Sequence, residues 1–114
     1  MDWSKNGQTL VLAISTQCHF CKESTPFYRR LEQEVGKRIK IIAALPQPVA
    51  DAEQYLKGEG VRVDQVKQIS PMALGVRGTP TMLLVNSGGV VTRVWSGKLP
   101  PEEQDQVLSI LKKG

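Results

Sequence analysis

The chain has 114 residues, enough for one domain and short for two. Its 40% apolar content supports a single layered core. A net charge of only +4, with basic and acidic residues interleaved, excludes a disordered polyelectrolyte and argues against a nucleic-acid partner. No apolar run approaches the roughly eighteen residues that a membrane-spanning helix needs, so no membrane span is expected.

The first residues, Met1 to Gly7, are polar and lack the pattern of a secretory leader. The expected compartment is the cytoplasm, or an extracytoplasmic space if a leader or anchor has been removed. Residues 1–9 read as an N-terminal segment, with Trp3 packing near the start of the domain, and 10–113 as the domain itself. Leu10 to Ile14 is a continuous apolar run, which suits a central strand buried on both faces. Ser15-Thr16-Gln17 then offers a helix cap. Phe20, Phe27, Leu31 and Val35 follow at helical spacing, with Ser24 between the aromatics and Tyr28 at the flank. Pro26 lies inside this helix, lacks an amide hydrogen and should kink it; Gly36 should stop it.

Ile39 to Leu45 is the second strand candidate, ended by Pro46 and Pro48. Ala50 to Lys57 suits a short helix with Ala52, Tyr55 and Leu56 inward, closed by Gly58 and Gly60. Val61 to Val66 alternates briefly and reads as a short strand or partly as loop. Ser70-Pro71 caps a short helix through Leu74. Thr81 to Val85 is a further strand, Asn86-Ser87-Gly88-Gly89 a hairpin signal, and Val90 to Trp95 its antiparallel partner. Pro101 begins a last helix with Val107, Leu108 and Leu111 inward and Lys112 and Lys113 at its carboxyl end. Early strand–helix alternation followed by a hairpin predicts an α/β fold with a mixed central sheet and helices on both faces.

Cys18 and Cys21 are the two cysteines of the chain. Closing so short a loop restrains the unfolded chain by only roughly 2 kcal/mol, so a chemical role is more economical than a structural one. At a helix start the free amides and positive potential favour a thiolate at Cys18. Cys21, three residues on, can reach the same sulfur and resolve a mixed disulfide. His19 is the single histidine; lying between the cysteines, it can donate a hydrogen bond or charge toward Cys18, or simply be an exposed first-turn side chain. Phe20 is an apolar contact at the rim or a core residue. A metal centre is disfavoured, since Cys18, His19 and Cys21 splay poorly around one ion and lack a fourth ligand. A Cys–His hydrolase is disfavoured too, because His19 is sequence-adjacent to the cysteines.

With Cys18-His19-Phe20-Cys21 after a buried strand, Pro26 in the next helix and Gly78-Thr79-Pro80-Thr81 before a hairpin, the chain resembles the thioredoxin-like superfamily over essentially residues 8–113. In general character it is closer to small exported thioredoxin-like domains than to typical thioredoxin. The resemblance implies about four sheet strands and a short or missing N-terminal strand–helix unit. It implies a cis Pro80 beside Cys18, and Gly78, Thr79, Pro80 and Phe20 as the substrate-binding residues. It also implies thiol–disulfide exchange with protein or peptide thiols and disulfides, an unidentified redox partner, a monomer, and no cofactor beyond the Cys18–Cys21 pair. Familiar thioredoxins carry Trp-Cys-Gly-Pro-Cys and a buried aspartate six residues before the first cysteine. Here Gln17, His19-Phe20 and Leu12 stand there, so the usual proton acceptor for Cys21 is absent; Glu23, Glu32 or a water are the substitutes. The direction of exchange stays open between reductase and oxidase or isomerase. A non-catalytic protein-binding domain and a metal-handling domain are the alternatives.

Overall fold

The computed structural model describes residues 7–113. The expectation for Trp3 lies outside them. Among the described residues five strands form one mixed sheet: β1 (Thr9–Ala13), β2 (Lys40–Leu45), β3 (Gln65–Gln68), β4 (Thr81–Val85) and β5 (Val91–Ser96), in the order β3-β2-β1-β4-β5. β1, β2 and β3 run parallel, whereas β4 and β5 complete the sheet antiparallel. The central strand β1 is buried along its whole length, as its unbroken apolar run requires.

The helices are α1 (His19–Glu23), α2 (Thr25–Val35), α3 (Val49–Gly58) and α4 (Pro101–Lys113). One face of the sheet, with Leu10, Leu12, Ile41 and Leu84, packs against apolar residues of all four helices in a single core. The other face, with Val11, Ala44, Leu83 and Val85, meets Ile69, Leu74 and Val76 of a strap that contains one 3₁₀ turn, Met72–Leu74. Helical structure therefore flanks both faces, but unequally. The expectation of about four strands becomes five, the fifth being the edge strand β3.

That edge strand begins later than its alternation suggested. Gly60, at φ +71°, ends α3 in a Schellman motif: Val61 N–H donates to Leu56 O at 2.9 Å and Gly60 N–H to Lys57 O at 3.1 Å. Val61 is thus the apolar residue of a helix cap. Asp64 then meets Ile41 twice, its Oδ2 accepting from Ile41 N–H at 2.8 Å and its own N–H donating to Ile41 O at 2.8 Å, and the strand register runs on from Gln65 opposite Ile42.

Candidate active site

The redox segment leaves the carboxyl end of β1. Ser15-Thr16-Gln17 turns the chain outward, and the turn is clamped from the β2–α3 connection. Thr16 N–H donates to Gln47 Oε1 at 3.1 Å, and Gln47 Nε2 donates to Ser15 Oγ at 3.1 Å. Gln17 N–H also donates to Ser15 Oγ at 3.1 Å. Sequence reasoning missed Gln47, because its partners lie over thirty residues away and no local pattern marks it.

Cys18 caps α1 with extended backbone, φ −104° and ψ 116°, and its Sγ accepts from Cys21 N–H at 3.1 Å. Cys18 and Cys21 are joined as a disulfide, with Cα atoms 5.2 Å apart. Cys18 is half-buried, whereas Cys21 is buried and belongs to the same apolar core as Leu12 and Ile14. Access to the pair is therefore through Cys18. α1 has only five residues, so the local Cys21 amide matters more at Cys18 than a long helix dipole.

The helix breaks at Ser24, as Pro26 demands. Pro26 has no N–H to give to Lys22 O, and Thr25 Oγ1 donates to that carbonyl instead at 2.9 Å. Ser24 Oγ likewise donates to Phe20 O at 2.7 Å. Pro26 becomes a first-turn residue of α2, where its fixed φ is compatible with a helix. Phe27, Leu31 and Val35 form the buried stripe of α2. Phe20, on the other side of the break, stands 54% exposed at the rim, with its ring edge-on to His19.

His19 is 76% exposed and its Nε2 lies 3.2 Å from Glu23 Oε2. The other Glu23 oxygen is 3.2 Å from Lys98 Nζ, in the segment after β5. The hydrogen bond at Cys18 Sγ thus comes from the Cys21 amide, and the imidazole is directed along α1 to Glu23. Of the two carboxylates considered as proton acceptors, Glu23 is engaged outward by His19 and Lys98. Glu32 lines a small cleft with Gly36, Ile41 and Asp64, at the opposite end of the sheet.

The second half of the site precedes β4. β1 and β4 pair antiparallel with Ala13 opposite Thr81, so the segment ending at Pro80 leaves the sheet at the end where the redox segment begins. The Thr79–Pro80 bond is cis. Pro80 is buried, Thr79 half-buried and Gly78 exposed. Thr81 Oγ1 donates to Gly78 O at 2.8 Å, and Gly97 N–H donates to Pro80 O at 2.7 Å, which ties this turn to the end of β5. Among the described residues the main-chain N–H and C=O of Thr79 have no protein partner. No group of three His, Cys, Asp or Glu side chains that could hold a metal occurs among the described residues.

Fold and paired cysteines together define the class, a thioredoxin-fold thiol–disulfide oxidoreductase. The sequence matches the family model of the thioredoxin-like domain over residues 3–112, and the chain belongs to that family. No curated protein matches its sequence significantly. Among solved structures, it is similar to a DsbE-like thiol:disulfide interchange protein from Chlorobium tepidum, at TM-score 0.73 and 20% identity, covering 96% of this chain and 83% of that one. A thiol-disulfide isomerase from Corynebacterium glutamicum gives TM-score 0.74 at 13% identity, covering 96% and 82%. The pneumococcal exposed lipoprotein thioredoxin from Streptococcus pneumoniae gives TM-score 0.69 at 20% identity, covering 97% and 87%. At these identities the likeness is one of fold.

Proposed function

We propose that the chain exchanges disulfides with polypeptide substrates, with Cys18 as the nucleophile and Cys21 as the resolving cysteine. In the reducing direction, the Cys18 thiolate attacks one sulfur of a substrate disulfide. The Cys18–substrate bond forms as the substrate S–S bond breaks, and one substrate thiolate leaves. Cys21, deprotonated to solvent or base, attacks Cys18 Sγ. The Cys18–Cys21 bond forms and the second substrate thiolate departs. The oxidising direction is the reverse, and both electrons are held in the chain's own dithiol with no further cofactor.

The observation that carries this reading is the arrangement at Cys18: a half-buried sulfur at the cap of α1, accepting the Cys21 N–H and bonded to a buried partner. An amide donor aimed at that sulfur favours its thiolate over the buried Cys21 thiol, which the apolar core holds protonated. Thr79, with Gly78 and Pro80, offers main-chain groups to an extended substrate segment, and Phe20 adds an apolar contact at the rim. His19 stands beside Cys18 without a direct bond to it, its Nε2 being directed to Glu23. Residues 10–113 form the thioredoxin-like domain. We place the chain outside the cytoplasm, a reading supported by the pneumococcal structural neighbour, an exposed lipoprotein.

The test is exchange with glutathione disulfide and with a disulfide-containing protein. Cys18→Ser should lower turnover by at least about a hundredfold. Turnover of Cys18→Ser equal to that of the unmodified chain would remove Cys18 from the role. The reduction potential then fixes direction: a value near about −120 mV marks an oxidant and one near about −270 mV a reductant.

A further inference from the structure

The less covered face of the sheet holds a groove that exchange chemistry alone leaves unused. It encloses about 560 Å³ between the strap and the β4–β5 hairpin. Thr79 and Pro80 make one end, Leu83, Val91 and Val94 the floor, and Leu74 a wall. Val91 and Val94 are 44% and 54% exposed, although Val85 and Leu83 opposite them on β4 are buried. Two glycines line its edges in the left-handed backbone region that disfavours other residues. Gly75 and Gly97 have φ of +76° and +78°, and a Cβ at either would meet nothing within 4 Å. Arg77 is the single charged side chain in the lining, and among the described residues it has no ion-pair partner.

We propose that this groove is a specificity subsite for exchange, which takes an apolar side chain of the substrate polypeptide, flanked by an acidic residue that meets Arg77. The inference rests on the reading of Thr79–Pro80 as the substrate-binding turn, with which the groove is continuous. From Pro80 to Leu83 is three strand residues, about 10 Å, which an extended peptide covers in about three residues. The anchoring side chain therefore lies about three to five residues from the reactive cysteine. Charge selects this occupant over a second copy of the chain. A two-fold contact built on the groove would bring two Arg77 side chains together in a lining that has no carboxylate to offset them.

The experiment uses the full chain as Cys21→Ser, with Cys18 loaded as a mixed disulfide with thionitrobenzoate. A peptide thiolate attacks Cys18 Sγ; the peptide–Cys18 bond forms, the old S–S bond breaks, and coloured thionitrobenzoate leaves. The probes are serine-based peptides with a central cysteine and a Leu-Asp pair moved outward along either arm. At an offset of about three to five residues the Leu-Asp peptide should react at least about tenfold faster than its all-serine parent. Val94→Asp should reduce that ratio to about twofold or less, and Arg77→Glu should reverse the preference for Asp over Lys beside the leucine. Because each ratio is taken within one variant, a general loss of activity does not imitate the effect. Equal rates at every offset, or a preference that survives Val94→Asp, would overturn the subsite. So would concentration-dependent dimers in analytical ultracentrifugation that Val94→Asp dissolves. Failure of every peptide and of glutathione to release thionitrobenzoate would instead remove the exchange reading itself.

Discussion

The two faces of the sheet are built from the same strands and serve different ends. Along β4, Met82 and Leu84 point into a core closed by four helices, while Leu83 and Val85 point to a strap with one 3₁₀ turn. The face under the helices buries Cys21 in its core, beneath the more accessible Cys18. The other face leaves room beside the Pro80 turn. On the roles proposed above, chemistry sits where the protein is closed and recognition where it is open, and the alternation of side chains along each strand supplies both.

The largest expected contrast is in stability. Leu84→Ala, on the helix-covered face, should cost about 2–5 kcal/mol, whereas Val94→Ala, one strand away on the open face, should cost less than about 1 kcal/mol. Urea unfolding measures both; equal costs would abolish the distinction between the faces. A second effect sits under the helices. Burial holds the Tyr28 phenol well above its ordinary range, opposed in part by the neighbouring Ser24 side chain. The folded state therefore keeps a proton that the unfolded chain releases near pH 10.0, and this stabilisation is lost as pH rises above that value. Tyr28→Phe should flatten the alkaline loss of stability above about pH 10; an unchanged slope would dissociate the loss from Tyr28.

The smallest effect belongs to the rim where the faces meet. His19 is exposed and directed to Glu23, so His19→Ala should raise the Cys18 pKa slightly and lower the reduction potential by about 20 mV or less. A drop of about 60 mV or more would mean that the imidazole bonds to Cys18 directly in the reduced state.

Much of this was legible in the sequence, because local chemistry specified it. The unbroken apolar run at 10–14, the Cys-x-x-Cys after it, Pro26 and the Asn86–Gly89 turn each admit few backbone solutions. The readings that shifted depended on distant partners. Val61 alternates with Val63 like a strand residue, but Gly60 makes it part of a helix cap, and β3 takes its register from β2. Phe20 fits the spacing of the α2 stripe, yet the break at Ser24 leaves it outside. Gln47 and the Lys98–Glu23–His19 chain depend on residues brought together only by the fold. The unequal covering of the sheet was hidden too, since Leu83 and Leu84 carry the same side chain and differ only in what lies above them.

The central claim is that Cys18 carries the substrate and Cys21 releases it. Mass spectrometry of the Cys21→Ser chain after incubation of its reduced form with a disulfide-containing protein tests this most directly. A covalent, reducible adduct on Cys18 should accumulate there, while the unmodified chain clears it and Cys18→Ser forms none. Adducts on Cys21 in Cys18→Ser at a comparable rate, or no adduct on Cys18 in Cys21→Ser, would contradict the account.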